Sequence, residues 1–555
     1  MSRITRRRFL AGSAAAVAAG VAGGVAYAES GSGGVPPKPR RAPAPSPRAG
    51  PVEPGPAAEL PTAGWVQAEN ARPGTLDWIV TGRPVPHAIE GYADRASAAA
   101  GQTVTLHVNT TEPTFHVEAY RMGWYGGRGG RLVWRSAEVP GRRQPPFRFT
   151  PGINMIECAW APSLRFGVTY DWPPGNYLLK LAGAGGQQQY VPLTVRDDHS
   201  QAAVVVLNAV TTWQAYNLWG GYSLYLGRQG NGEAYAARSR VVSFDRPYGL
   251  VSVDWANGAA DWMGNELPFL MLAERWGLDM AYWTDLDLAR APERLTRHRV
   301  LVSLGHDEYW SRAMFDGAMA ARDAGVNFAF LGANALFRHI RLEASPTTGA
   351  DRRVVCYKVA SEDPLNGHDD AEVTSDWPSG PRPRPESVLI GNMYQSNPVD
   401  AALAVVAPAA WGMEGTGLAA GDTLPHVVGS EYDAFDLSVP GPRNVEIWAH
   451  SPLVCRGRPG HSDMTYYTAP GGAGVFATGT NWWVSKLADA PAQIPAALVP
   501  PAIPGVTTAL TRITRNVLTV LGSGPAGHLH PSRANWTSFY SPGAPAQTPA
   551  AVRGA

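Results

Sequence analysis

Four consecutive residues, His306-Asp307-Glu308-Tyr309, set an imidazole, two carboxylates and a phenol between Gly305 and Trp310-Ser311. Such groups relay protons, and their nitrogen and oxygen atoms can hold a cation. A second polar stretch is Gly332-Ala-Asn334-Ala-Leu-Phe337-Arg338-His339-Ile340, and a third is Val428-Gly-Ser-Glu431-Tyr-Asp433. Thr212-Trp213-Gln-Ala-Tyr216-Asn217 and Trp219-Gly-Gly-Tyr-Ser223 add aromatic and amide groups, as do Asp463-Met-Thr-Tyr-Tyr467 and Gly479-Thr-Asn-Trp-Trp483. A lone polar residue at a strand end more often caps a helix or closes a loop. A cluster of four such residues is what raises a chemical reading to equal standing. His450 and His461 are too far apart along the chain to form a recognisable metal-ligand spacing. There is no Gly-x-Ser-x-Gly elbow, His-Glu-x-x-His pair or phosphate loop, which argues against serine hydrolase, zinc protease and nucleotide chemistry.

The elements around these residues must position them. Ala203 to Leu207, Val300 to Leu304 and Val326 to Leu331 are apolar runs that predict strands buried on both faces. Between them, Leu267 to Trp276 and Arg312 to Ala324 have helical spacing, each followed by a glycine. This rhythm predicts an open, mostly parallel sheet, glutamine-amidotransferase-like or flavodoxin-like. Ligands bind beyond the carboxyl ends of such strands, where Gly305-His306 and Gly332-Ala-Asn334 fall. Upstream, Thr103 to Val108 and Phe115 to Tyr120 alternate, a glycine-rich turn follows, and Asn176 to Leu181 and Tyr190 to Val195 complete a pattern of short strands. That pattern predicts a β-sandwich. Leu510, Ile513, Val517 and Leu521 mark one amphipathic helix near the end.

The fold class expected is therefore mixed: an N-terminal β-sandwich (64–198), then an α/β domain (199–522), then an irregular tail (523–555). Ahead of them, Thr5-Arg6-Arg7-Arg8-Phe9-Leu10 spells a twin-arginine export signal. A short Ala/Val/Gly run and Ala26-Tyr27-Ala28 follow, so residues 1–28 are expected to be cleaved. The apolar run is shorter than the ~20 residues a membrane span needs, so no membrane attachment is expected after cleavage. Residues 29–63 are rich in Pro, Ala, Gly and Ser and predict a disordered linker. The protein is thus expected to be exported. The net charge of +1 disfavours nucleic acid as a partner. The three cysteines, Cys158, Cys356 and Cys455, are far apart and read as buried thiols, although an exported chain can carry one disulfide.

Three stretches resemble the large subunit of N,N-dimethylformamidase and its relatives: Tyr120-Arg-Met-Gly-Trp-Tyr-Gly-Gly-Arg-Gly-Gly-Arg131, Gly305-His-Asp-Glu-Tyr-Trp-Ser311 and Val428-Gly-Ser-Glu-Tyr-Asp433. The resemblance runs from about residue 64 to 520. It implies hydrolysis of a small-molecule amide at its C–N bond, and a mononuclear ferric site (Fe3+) held by two tyrosines and one glutamate. By motif these are Tyr309 and Glu431. The second tyrosine is placed at Tyr357, in Val354-Val-Cys-Tyr-Lys358, because it lies between them after an apolar run. Phenolate and carboxylate are hard anionic donors suited to a trivalent cation, which can polarise an amide carbonyl. His306 is the expected catalytic proton carrier, and Asn334, Phe337, Trp213 and Asn217 are the expected substrate contacts. The resemblance also implies a separate small subunit. The rival reading, from composition, is a non-catalytic binding protein for a glycan or small organic ligand, since 19 tryptophans and 20 tyrosines are many for the length.

Overall fold

Apolar β-branched runs become interior strands when both faces are covered, and Val204–Asn208 shows how. Val204 and Val206 enter one core while Val205 and Leu207 enter another on the opposite face. The computed structural model describes residues 59–82, 84–230, 232–249, 258–487, 491, 494 and 500–540. The expected signal peptide, residues 29–58 of the expected linker and the tail from 541 lie outside the described residues. Residues 59–63 are tied to the body: Thr62 bridges Leu278, and the Ala63 N–H donates to the Gly277 carbonyl at 2.9 Å.

The N-terminal region is built around two main sheets, with Arg148–Thr150 and Met155–Glu157 forming a small third. One pairs Ile89–Ala93, Thr103–Thr110 and Leu164–Gly167, all antiparallel. The other orders Ser97–Ala99, Gln188–Arg196, Gly175–Gly183, Thr114–Met122 and Gly130–Arg135. Leu106 and Val108 from the first sheet share a core with Val117, Leu179, Leu181 and Leu193 from the second. Val139–Pro140 pairs at the edge of Thr114–Met122.

The remainder is arranged around a seven-stranded sheet. Met280–Thr284, Val204–Asn208, Val300–Gly305, Asn327–Gly332 and Gly474–Ala477 are parallel neighbours in that order. Arg458–Thr468 and Glu446–Cys455 then continue it antiparallel. Helix Leu267–Arg275 packs on one face and Arg312–Asp323 on the other. Helix Pro504–Leu521 buries Leu510, Ile513, Val517 and Leu521, as their spacing predicts. Among the described residues no helix is long and apolar enough to cross a membrane. Cys158, Cys356 and Cys455 are buried free thiols.

The expected open, mostly parallel α/β domain, glutamine-amidotransferase-like or flavodoxin-like, is corrected. Among the described residues the protein is strand-rich, with 36% strand against 21% helix, and its larger sheets are mixed or antiparallel. The strand–helix alternation that suggested the parallel class stops after Gly332. Beyond it the chain returns by turns rather than by crossover helices, and a strand that returns by a turn must pair antiparallel. Arg338–Ser345 with Gly349–Val355, and Glu446–Cys455 with Arg458–Thr468, are such hairpins, and Met393–Ala404 pairs Thr423–Ala434 antiparallel across a longer connection.

Burial of charge inside this body has a consequence for pH. Glu386 is buried, and its Oε1 accepts the Tyr394 N–H at 2.9 Å. Its Oε2 has no hydrogen-bond partner among the described residues. Burial pushes its carboxyl up to about 8. A raised acid leaves the fold at full stability below the unfolded value of about 4.3, and stability is lost as pH climbs from there towards the folded value. Glu386→Gln is neutral throughout. Its Tm is expected to fall less than the wild type's across that window, with the largest gap near the upper end. Parallel Tm-versus-pH curves would show that Glu386 is not the group responsible.

Candidate functional site

Val204–Asn208 and Val300–Gly305 are adjacent parallel strands, so the segments that follow them emerge at one edge of the sheet. Helix Val210–Tyr216 follows the first and His306 to Tyr309 the second. Two threonines join these segments. Thr212 Oγ1 accepts the Glu308 N–H at 3.0 Å, and Thr211 Oγ1 donates to the Tyr309 carbonyl at 2.7 Å. Gly305 is required here: its φ is +55°, and a Cβ would lie 2.7 Å from the Asn265 carbonyl oxygen.

Two phenols and one carboxylate converge on this edge. The Tyr216 hydroxyl donates to Glu308 Oε2 at 2.6 Å and lies 2.8 Å from the Tyr225 hydroxyl. Tyr225 Oη lies 2.8 and 2.9 Å from the two Glu308 oxygens. Oxygen donors about 2.0 Å from one octahedral cation lie about 2.8 Å from each other, so the three groups already have the spacing of a coordination edge. Burial, reinforced by the Glu308 carboxylate, holds both phenols well above the usual phenol range. A cation is what would ionise them. Burial alone would raise Glu308, but His306, Lys358 and Arg338 outweigh it and hold its carboxyl well below the usual carboxylate range. Arg338 Nε donates to Glu308 Oε1 at 3.2 Å. Two phenolates and one carboxylate would carry three negative charges, the number that offsets a trivalent cation.

Beside this trio stands a second pair. His306 Nε2 lies 3.4 Å from Glu308 Oε2 and 3.5 Å from Glu431 Oε2, in hydrogen-bonding geometry with neither. Glu431 Oε1 accepts from Asn397 Nδ2 at 3.1 Å, and Asn397 also donates to the Tyr394 hydroxyl. Three buried atoms, His306 Nε2, Glu431 Oε2 and Asn334 Oδ1, have no hydrogen-bond partner among the described residues. Asn334 and Asn481 lie against Glu431. Burial raises the Glu431 carboxyl. Burial would lower His306, but Glu431, Asp261 and Glu308 together hold its imidazole well above the usual range. Unpaired buried polar atoms are costly, so a group of them facing one space is a place for a polar ligand.

The sequence-predicted residues are distributed unevenly around this centre. His306, Glu431 and Asn334 lie in it. Phe337 forms part of a wall, its ring 5.1 Å from that of Tyr394 and under the Arg338 guanidinium. Tyr309 is buried one step behind the trio: its hydroxyl accepts from Lys358 Nζ at 2.6 Å and lies against Tyr225. Tyr357 is not brought to it. Its ring packs with Ile153, Met155, Val241 and Val355, and its charged neighbours are Asp363, Arg341 and Glu343. Lys358, one residue on, is the side chain that turns inward, 3.2 Å from the Tyr225 ring centroid. Trp213 and Asn217 are also elsewhere. Trp213 Nε1 donates to Glu266, and Asn217 braces its own loop through Gln214 and Pro247. Sequence reasoning missed Tyr225, Arg338, Lys358, Tyr394 and Asn397, and gave Tyr216 and Glu308 no role of their own. The signal for Tyr216 was its position just after a strand adjacent to that of His306.

The tyrosine loop depends on one buried cation. Arg246 is fully buried and donates to the carbonyls of Gln214, Asn217, Trp219 and Tyr222, at 3.3, 3.0, 3.4 and 2.8 Å. Those carbonyls bracket Tyr216 and lead to Tyr225. Burial lowers Arg246 to about 10, which keeps it charged at neutral pH. Arg246→Met is expected to cost on the order of 3 kcal/mol, since several buried acceptors lose their donor. It should also lower any metal that the trio holds by displacing both phenols, with Arg246→Lys intermediate. Thermal unfolding and metal analysis check this, and unchanged metal in Arg246→Met would contradict it.

The family described as N,N-dimethylformamidase beta subunit-like, C-terminal, matches residues 116–495. No curated protein matches the chain. A cycloisomaltooligosaccharide glucanotransferase of Paenibacillus sp., complexed with cycloisomaltoheptaose, is 9% identical with a TM-score of 0.15, over 46% of this chain and 55% of that one. Murine CEACAM1b is 12% identical with a TM-score of 0.11, over 21% of this chain and 61% of that one. This chain thus spans less than two thirds of either protein's length, and similarity at this level carries no argument about fold or function.

Proposed function

The chain belongs to the N,N-dimethylformamidase beta subunit-like family, and from that membership and the geometry above we propose that it is a metal-dependent hydrolase of an amide C–N bond. One observation carries the reading: the oxygens of Tyr216, Tyr225 and Glu308 converge beside the unpaired His306 Nε2 and Glu431 Oε2. In this proposal Tyr216, Tyr225 and Glu308 hold ferric iron, because three hard anionic oxygens favour a trivalent ion over zinc or copper. The ion supplies Lewis acidity to an amide carbonyl.

The remaining groups handle the proton. Hydrolysis adds water across the C–N bond, so a proton leaves the attacking water and a proton reaches the departing nitrogen. Glu431 Oε2 is the acceptor, held in place through its other oxygen by Asn397. His306, between Glu431 and Glu308, gives the proton at Nε2 to the departing nitrogen, and the proton taken from water by Glu431 restores it. Asn334, Tyr394 and Phe337, buried beside Glu431 or against one another, are the proposed contacts of a short amide. The separate small subunit and export by residues 1–28 belong to the same proposal.

The test is direct. Purified protein from iron-replete cells should contain about one iron per chain, show a phenolate-to-iron absorption band in the visible, and release amine from N,N-dimethylformamide or another short amide. Protein without iron, colour or hydrolysis, yet binding a glycan or small organic, would replace this reading with that of a binding protein.

A further inference from the structure

His450 and Asp463 are cross-strand partners in the hairpin of Glu446–Cys455 and Arg458–Thr468. His461 lies two residues before Asp463, so strand alternation puts both side chains on one face. The hairpin thus unites two imidazoles that sequence spacing kept apart: their ring centroids are 4.5 Å from each other. One donor atom from each of His450, His461 and Asp463 fits within a span of 4.8 Å. Asp463 is fully buried and both histidines are partly exposed, so the cluster is open to solvent from the imidazole side.

The carboxylate is oriented before any ion arrives. Asp463 Oδ2 accepts the Phe435 N–H at 2.9 Å, and Oδ1 accepts from His450 Nδ1 at 2.7 Å. The chain then returns from the far end to close the cluster. The Phe539 ring stacks on His450 at 4.9 Å, and the Tyr540 hydroxyl touches both His461 Nε2 and Asp463 Oδ2. The Tyr540 hydroxyl thus joins the cluster of His450, His461 and Asp463 at its His461 and Asp463 side. None of them belongs to the Tyr216, Tyr225 and Glu308 set.

We propose that His450, His461 and Asp463 form a second metal site, for zinc or a zinc-like divalent ion, with the Tyr540 hydroxyl as fourth donor. Neutral imidazole and carboxylate are the ligand types zinc takes, and a set of four meets its tetrahedral preference. The ion takes the place of the proton shared between His450 Nδ1 and Asp463 Oδ1, and the imidazole keeps its proton on Nε2. It fastens residues 536–540 to the hairpin, a structural role outside the proposed reaction.

The experiment is a zinc titration of the full chain, stripped of metal, in a Glu308→Gln background that disables the other candidate site. One equivalent of zinc is expected to remain, with a raised Tm and slower proteolysis of the segment around Tyr540. Cobalt(II) in its place should give the strong visible absorption of a four-coordinate ion. His461→Gln should weaken zinc binding by more than about a hundredfold, beyond the cost of losing an outer partner. Tyr540→Phe, which leaves the hairpin intact, should weaken it less and abolish the proteolytic protection. Asp463 also holds the Phe435 N–H, so Asp463→Asn is the less informative variant. Zinc binding that is absent, or equal in the parent and His461→Gln proteins, overturns the proposal whatever happens at Glu308.

Discussion

With iron held as proposed by Tyr216, Tyr225 and Glu308, Glu308→Gln is expected to remove it. In the wild type the Glu308 carboxylate is the charged member of the oxygen trio and receives Tyr216, Tyr225 and Arg338. An amide keeps the size and one oxygen but loses the charge, and a neutral oxygen is a far poorer donor to a trivalent ion. Iron per chain should fall below about a tenth of the wild-type content, and hydrolysis by on the order of a thousandfold, since Lewis-acid assistance is worth several kcal/mol. Tyr216→Phe and Tyr225→Phe should each bleach the visible band, because each deletes an anionic donor while its ring remains. The fold should survive all three: Arg338 retains Asp376, and each phenylalanine keeps its packing. Tyr357→Phe is the control and should retain both iron and colour. Tyr309→Phe should also retain iron, with some destabilisation because Lys358 Nζ loses its acceptor. Iron retained in Tyr216→Phe and Tyr225→Phe but lost in Tyr309→Phe would return the site to the residues first indicated by resemblance.

The difference between those two sets of residues shows what the sequence can and cannot carry. The His306 to Tyr309 cluster was legible because four reactive groups in a row after an apolar run are rare, and a strand end gives them an edge to occupy. Which of Glu308 and Tyr309 faces the centre was not legible. Neighbouring residues in extended backbone point to opposite sides, so an error of one position changes a ligand into a support. Lys358 turns inward past Tyr357 because its backbone is left-handed, with φ at +64°, just after the strand Gly349–Val355 ends. Tyr216 sat in a stretch notable for its aromatics, but its use depends on Val204–Asn208 being adjacent to Val300–Gly305, which is a long-range pairing. Tyr225 has no local signature at all. His450 and His461 meet only through hairpin register. The antiparallel half was misjudged for a related reason. Three buried strands with two helices between them set a rhythm, and nothing local announces that the rhythm ends at Gly332.

Glu431→Gln is expected to separate catalysis from metal binding. Resemblance made Glu431 a ligand, whereas the function proposed above makes it the base. Its Oε1 is engaged by Asn397, and its Oε2 is unpaired and 3.5 Å from His306 Nε2. Glutamine preserves shape and can still accept from Asn397, but it cannot take a proton from water. The turnover rate should drop by about two to four orders of magnitude, the usual cost of losing a general base. KM should change little, because the substrate-bounding side chains remain. Iron content and the visible band should match the wild type, since Tyr216, Tyr225 and Glu308 are untouched. His306→Asn should lower the rate with the iron likewise retained, because the imidazole lies between the two carboxylates. If Glu431→Gln loses iron and activity together, Glu431 is a ligand and another group must serve as the base. If it keeps both, the proton acceptor lies elsewhere, and the unpaired Glu431 oxygen has some role other than catalysis.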